Sequence, residues 1–504
     1  LKGQFQVKNW SFKNQSSYLK SDAIINTSKF IRSQSQVRYH FDKNWIGSSQ
    51  RLEDNQEKNK STNQFTALSQ KFSEYGFFAG RGDSTAVYVQ FGFLNRVNDS
   101  IQNNQLQRVN SSKTYYLKSK LIQTNKSDLS IYANYRVLDY NEESKKSEPS
   151  LNSRILYNDR FFNQLIQSTS SYETNSGTLP QQEFTYLEVP AGQGVYTWND
   201  YNNNNIQELQ EFEIAAFIDQ AKYIRVYLPN RVYIKTHQTK FSQSLILNPN
   251  QWQNEDNFKR ILSYFYNQTS YLIDRKTKNE GGNFEFNPFK SSQENVLGLS
   301  SSFRNSLFYN RGKQLHSVTY TYLQNQTKNL LSIGSQQSKN NSHQIQYSHL
   351  YQKSWLFSTF AKTIKTSILS ENFSEKNYTI TGYQLAPKIS YLFSKNTSWD
   401  IFYELQNKEN TIGNQETLLQ NRFGTSFSYA NDKKITMNGE VSFYQNKFTG
   451  NEFSSVGFQM LEGLQRPTNK TNFCKVQMQM AELEQSDKEI LEAALANVRL
   501  WPAN

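Results

Sequence analysis

Asp200, Asn202, Asn204 and Glu211 stand at positions 1, 3, 5 and 12 of one polar segment, whose letters from residue 200 are DYNNNNIQELQE. With that spacing, alternate side-chain oxygens converge on one hard cation and a last carboxylate closes the shell. The segment therefore reads as a Ca²⁺ loop, with the carbonyl of Ile206 in the position-7 role. Position 6 is Asn205 where such loops carry Gly, and Asn is the next most tolerant residue of a positive φ. With Glu208 outside the shell only Asp200 and Glu211 bring charge, so the expected affinity is weak, in the millimolar range. In a chain this rich in Asn the same pattern also suits an ion-free turn between two strands.

Other chemistry is sparse. The sequence holds no His-Glu-x-x-His, nucleophile-elbow, Walker or dinucleotide fingerprint. His237, His316, His343 and His349 are scattered through strand-like runs, and the pair Glu142/Glu143 falls in a loop. The single cysteine, Cys474, excludes a disulfide framework and a Cys/His zinc cluster. Arg81-Gly82-Asp83 spells an integrin-type tripeptide, but after Phe77-Phe78-Ala79-Gly80 it reads more simply as a tight turn. No catalytic residue and no cofactor other than Ca²⁺ is expected, and the chain is read as a non-enzyme.

The elements that must carry these residues are announced by strict alternation. From Trp399 to Leu405 the odd positions Trp399, Ile401, Tyr403 and Leu405 are apolar while Asp400, Glu404 and Gln406 face the other way, and Phe402 alone breaks the pattern. Phe423, Phe427 and Tyr429 share one face of the next run, and Ile435, Met437, Val441 and Phe443 follow after a polar turn at 430–434, which makes a β-hairpin. Between Val232 and Phe473 about a dozen such strands can be placed, joined alternately by short turns such as 394–398 and longer loops such as 274–293. Runs of roughly 8–10 residues leaning on Tyr, Phe and Trp suit the strands of a transmembrane barrel better than those of a soluble sandwich.

Composition agrees. The chain has 504 residues, 14% of them aromatic and 20% charged, which argues against disorder. No stretch approaches the ~18 uncharged apolar residues of a membrane helix. The +13 formal charge spreads without a basic run or a glycine-rich RNA-binding signature, so nucleic acid is not an expected partner. Leu1 opens the sequence with no charged-then-apolar leader, so any signal peptide is expected to be cleaved or to lie outside it.

The block GQGVYTWNDYNNNNIQELQEFEIAAFIDQAKYIRVYLPN at 192–230, with the later pieces FRNSLFYNR, ENFSEKNYTITGYQLAPKISYLF and MLEGLQ, resembles large, mostly uncharacterised outer-membrane β-proteins of Bacteroidota. The likeness runs over about 151–473 and implies a cell-surface, outer-membrane location and a barrel-type C-terminal half. It implies no reaction.

The fold expected is all-β, with long antiparallel amphipathic strands forming a whole or partial transmembrane β-barrel, followed by a short helix outside the barrel. Residues 1–150 form an N-terminal β-region, separate or part of the barrel, with charged linkers at 50–64 and 141–150. Residues 151–231 carry the calcium loop, 232–473 the barrel-type strands, and 474–504 an amphipathic helical tail. In that tail Ser486 to Glu489 is a capping box before Ile490, Leu491, Ala494, Leu495 and Val498 at helical spacing. The function expected is transport, secretion or surface assembly in contact with outer-membrane lipid, surface glycan or other outer-membrane proteins. The alternative is a secreted or surface-anchored all-β protein that grips glycans with its aromatic faces.

Overall fold

The computed structural model describes residues 1–482 apart from 84–86, 201–204, 216, 256–257, 280–281, 291–294, 314, 332–333, 371–376, 431–434, 451–454 and 461–469. Alternation dominates the chain, and the outcome is one antiparallel sheet of 23 strands. Its strands are β1 Lys2–Val7, β2 Trp10–Asp22, β3 Asn26–Phe41, β4 Asn44–Asn59, β5 Gln70–Gly82, β6 Tyr88–Gln102, β7 Gln105–Gln123 and β8 Ser127–Tyr140. There follow β9 Glu148–Phe161, β10 Ile166–Glu188, β11 Tyr196–Trp198, β12 Phe212–Ile214, β13 Tyr223–Leu247, β14 Phe265–Lys278, β15 Val296–Tyr309 and β16 His316–Leu331. The last are β17 Gly334–Tyr351, β18 Trp355–Ser370, β19 Tyr378–Ser394, β20 Thr397–Asn410, β21 Thr417–Ala430, β22 Ile435–Thr449 and β23 Lys470–Glu482. Two short helices are added, α1 Phe258–Leu262 and α2 Ser455–Met460. No helix among the described residues is long and apolar enough to cross a membrane.

Each long strand pairs with its sequence neighbours, so the sheet is a continuous meander. The one insertion is β11 and β12, which pair with each other while β10 pairs directly with β13 from Ile166↔Leu247 to Glu188↔Tyr223. Among the described residues β1 pairs with β2 alone and β23 with β22 alone, which leaves the sheet open at two edges. One end of the meander turns tightly, at 8–9, 42–43, 124–126, 352–354 and 395–396, with 248–264 as the long exception. The other end carries the longer connections, at 60–69, 141–147, 189–222, 279–295 and 450–469, with the two-residue Asn103-Asn104 turn as a short one. Both asparagines there have positive φ, 50° and 58°, which a two-residue hairpin whose turn follows the strand twist requires.

Three expectations are corrected. Residues 50–59 are not linker but the second half of β4, where both faces are polar and alternation gives no signal. Ladder hydrogen bonds and the cross-strand pairs Arg32–Glu53 (2.8 Å) and Arg51–Glu74 (3.6 Å) hold it instead. The strands are longer than the apolar runs that revealed them, from 13 to 19 residues in most hairpins, because their ends continue with polar residues on both faces. Residues 474–482 are strand, not helical tail: Cys474, Val476, Met478 and Met480 alternate with Lys475, Gln477 and Gln479 along β23, with Val476 opposite Val441. The helical spacing at 486–498 lies outside the described residues.

Residues 1–161 join the same sheet, since β9 pairs with both β8 and β10. Among the described residues there is no central core. Buried apolar residues gather in two small clusters, one of Tyr378, Ile380, Leu418, Phe448, Val456 and Met460, the other of Tyr196, Phe212 and Tyr223 with Tyr186 and Trp198 against them. In the first, α2 lies on the sheet and buried Lys408 donates from Nζ to the Met460 carbonyl at 3.0 Å. In the second, the Gly-Gln-Gly segment fits the insertion onto β13. Gly192 has φ +85°, and a Cβ on Gly194 would lie 2.5 Å from the Tyr223 nitrogen. The N–H groups of both glycines donate to the Ala221 carbonyl. Gly194→Ala should therefore detach β11 from β13, read as faster proteolysis within 189–222 with far-UV strand content unchanged.

Candidate functional site

The hairpin registers sort the side chains into two faces of opposite chemistry. In β20–β22, Phe423 lies opposite Phe443, Thr425 opposite Val441, and Tyr429 opposite Met437, with Trp399 opposite Phe427. Trp399, Ile401, Tyr403, Phe423, Phe427, Val441 and Phe443 are 38–57% exposed, so the sheet presents these rings to its surroundings and buries none of them. The same face continues across the sheet as rows: Trp355, Tyr391, Trp399 and Phe427 in one, then Phe357, Ile389, Ile401 and Val441, and further along Ala361, Leu385 and Leu405. In the N-terminal strands it forms an apolar hollow of 1030 Å³ lined by residues such as Phe77, Phe91, Phe93, Tyr115 and Tyr135.

The opposite face holds the charges. Arg422 binds Glu440 on one neighbouring strand and Glu404 at 3.3 Å on the other, and Gln384 donates to Glu404 at 2.6 Å. Lys388 pairs with Asp400 at 3.3 Å, and the Ser426 hydroxyl donates to the same carboxylate oxygen at 3.4 Å. The carboxylates were visible in the alternation; their partners Gln384, Lys388 and Arg422 were not, because pairing depends on register. Phe402, which broke the alternation, is on this charged face. It lies opposite Gly424, whose missing side chain leaves room for the ring, and the Arg422 guanidinium sits 4.8 Å above it.

The predicted ion loop is placed in part. Asn202 and Asn204 lie outside the described residues. Asp200 Oδ2 accepts the Asn205 N–H at 2.8 Å, and Asn205 has φ +54°, the backbone form that position 6 demands. Glu211 is buried; its Oε2 accepts the Trp198 indole N–H at 2.9 Å, while Oε1 has no hydrogen-bond partner among the described residues. Ile206 is exposed, and among the described residues no three His, Cys, Asp or Glu side chains gather as a metal site. Arg81-Gly82-Asp83 ends β5, with φ +91° at Gly82, whose carbonyl accepts the Trp45 indole N–H at 3.2 Å.

One feature had no sequence signal. Residues 282–290, in the connection after β14, fold back as a strap over the apolar face of β8, β10, β13 and β14. Tyr172 donates its hydroxyl to the Phe286 carbonyl at 2.7 Å, Phe284 lies edge-on to His237 and Tyr135, and Phe289 stacks on Tyr271 at 5.8 Å. Within the strap, Lys290 at 2.6 Å holds the Glu285 carboxyl below its usual range. A cleft of 510 Å³ runs beside it, lined by residues including Tyr271, Phe289, Phe303, Gln324, Gln326 and Lys328.

No protein family and no curated protein matches the chain. Among solved structures it is similar to the ferric-catecholate import receptor Fiu of E. coli K12, in its open form, at 10% identity, covering 94% of this chain and 75% of that one, with a TM-score of 0.30. A superposition this loose assigns nothing to this chain.

The two faces make opposite demands on one strand. Val441→Arg puts a charge on the apolar face, costing about 2–4 kcal/mol if that site lies near a bilayer midplane, and should abolish assembly into membranes. Glu440→Gln on the charged face keeps an acceptor for Arg422 and should assemble normally. Equal assembly of the two variants, scored by heat-modifiable gel migration, would refute the face assignment.

Proposed function

We propose that this protein is a non-enzymatic outer-membrane β-barrel protein, or a portion of one, whose work is transport, secretion or surface assembly. The observation that carries this reading is the inversion of the two faces: exposed aromatic and aliphatic rows on one, register-matched ion pairs on the other. Water penalises the first arrangement by roughly 25 cal/mol per Å² of apolar surface, and hydrocarbon removes that penalty. The dimensions fit. Along β18 the face passes Trp355, Phe357, Thr359, Ala361 and Thr363 before the first cation, Lys365. That is about 33 Å of strand at ~3.3 Å per residue. At a barrel tilt of ~40° it becomes roughly 25 Å, the height of an outer-membrane apolar band. Tight turns at one end and longer connections at the other follow the same pattern.

The reading is tested by fractionation. The protein should remain in the membrane pellet after carbonate washing, require detergent for extraction and migrate differently on gels before and after heating. Recovery as a soluble monomer would favour the glycan-gripping alternative instead.

The loop at 200–211 is proposed to hold Ca²⁺ in a structural role, supported by the positive φ of Asn205 and by Oε1 of buried Glu211, which has no hydrogen-bond partner among the described residues. The ion would neutralise Asp200 and Glu211 and fix the segment after β11. Calcium should then raise stability by about 2.7 kcal/mol at a hundredfold excess over the dissociation constant, and Asp200→Ala with Glu211→Ala should erase the gain. A melting temperature indifferent to millimolar calcium and to chelator would reduce the loop to an ordinary turn.

A further inference from the structure

On the charged face of the N-terminal strands, glycines make room for rings that lie along the sheet. Gly47 is opposite Phe78, Gly80 opposite Trp45 and Gly92 opposite Tyr116, and a side chain on any of these glycines would collide with the ring it faces. The rings in turn hold cations. The Arg38 guanidinium sits 4.4 Å from the centre of a Trp45 ring and 5.6 Å from that of Phe78, Lys118 Nζ sits 5.2 Å from that of Tyr116, and Arg96 sits 3.7 Å from that of Phe72. The Tyr116 hydroxyl accepts from Gln90 Nε2 at 3.0 Å and lies within electrostatic reach of Arg38 and Arg51.

A ring positions a cation without neutralising it. Farther along the sheet the same face neutralises Lys388 and Arg422 with carboxylates. Here Glu53 is taken by Arg32 at 2.8 Å, and Glu74, opposite Arg96 in register, turns to Arg51 at 3.6 Å. Among the described residues Arg38, Arg96 and Lys118 form no ion pair. Within 1–179 only 84–86 fall outside the described residues, and these are Ser, Thr and Ala, which carry no charge. The strap 282–290 lies on the other face, against Tyr135. Next to that tyrosine, on the charged face, Arg136 has a buried Nε with no hydrogen-bond partner among the described residues, and it lies close enough to Arg96 to repel it.

We propose that Arg38, Lys118, Arg96 and Arg136 form an arc that binds an extended solute carrying more than one carboxylate or phosphate group. Arg38 is on β3 and Arg136 on β8. Five strand steps separate them, about 24 Å at ~4.8 Å per step, so a single small anion cannot meet the whole arc while several acidic groups along one molecule can. The forked N–H donors of guanidinium match the paired oxygens of carboxylate and phosphate alike. Because rings already hold these side chains, little freedom remains to be lost on binding. The arc stands with or without the barrel: on that reading it faces the interior and the solute is cargo, and a soluble sheet would present the same groups to the same solute.

The test titrates the full chain with tetragalacturonate, with tripolyphosphate and with neutral maltotetraose. The unsubstituted protein should bind one or both anions, more weakly as salt rises, and should not bind maltotetraose; a preference between the anions identifies the acidic group. The R38Q/R96Q/K118Q variant should bind the preferred anion at least about a hundredfold more weakly, with about tenfold from each charge-assisted hydrogen bond lost. Lys113→Gln, on the other face of β7, should bind as the unsubstituted protein does. If far-UV strand content shows that the triple variant does not fold, exposed Lys118 decides alone, and Lys118→Gln should cost about tenfold. Failure of both anions to bind, equal binding of maltotetraose, or unchanged anion binding by the folded variants would overturn the proposal. Fractionation separates this failure from that of the barrel. A membrane-bound chain indifferent to both anions refutes the arc alone, and a soluble chain whose arc binds them refutes the barrel alone.

Discussion

A backbone N–H or C=O left without a partner away from water costs several kcal/mol, and the long strands of this sheet are arranged so that their ladders avoid that cost. The meander answers it strand by strand, since each long strand finds its partners in the strands before and after it. Once the ladders have satisfied the main chain, the side chains of one face can be mainly apolar. The two edges, β1 and β23, each paired on one side alone among the described residues, are where the same constraint still acts, because an unpaired edge invites pairing.

The distribution of side chains then follows from what lies on each side of a single layer. Among the described residues no second sheet lies against the apolar face, and the two buried clusters are small and belong to connections, one under α2 and one under the Gly-Gln-Gly insertion. On the charged face, removing Arg422 from water is compensated by two carboxylates and by the rings of Phe402 and Tyr444. Glycine serves that face by absence: Phe402 occupies the place a side chain on Gly424 would take, and Phe78 does the same at Gly47.

What was legible in the sequence was what period two can carry. The hairpin of β21 and β22, the placement of Asp400, Glu404 and Glu440 on one face, and the alternation of short and long connections were all readable, because there one face is apolar and the other polar. Where both faces are polar, as in β4 beyond Ser48, the strand exists through ladder bonds and ion pairs that period cannot reveal. Residues 474–482 show the reverse failure. A change of composition toward Met and Ala suggested a new element, while the alternation of Val476, Met478 and Met480 ran on. Of the ion loop, the demand for a positive φ at Asn205 was foreseeable from residue type; the burial of Glu211 beneath the Trp198 indole was not, since it depends on β11 and β12 pairing. The strap left no trace in advance, because its contacts join Phe284, Phe286 and Phe289 to strands far away in sequence.

The sequential order of the meander also bears on how the chain acquires its shape. Closing a short connection costs little entropy and the cost grows only with the logarithm of loop length, so hairpins joined by two or three residues, such as β3 with β4 and β17 with β18, can form early and locally. Each completed hairpin then offers its outer strand as the template for the next, and the sheet can widen from any starting point. The step from β10 to β13 carries the largest closure entropy of these, because 189–222 is the longest connection, and the ring cluster of Tyr186, Tyr196, Phe212 and Tyr223 folds the insertion onto the strands it connects.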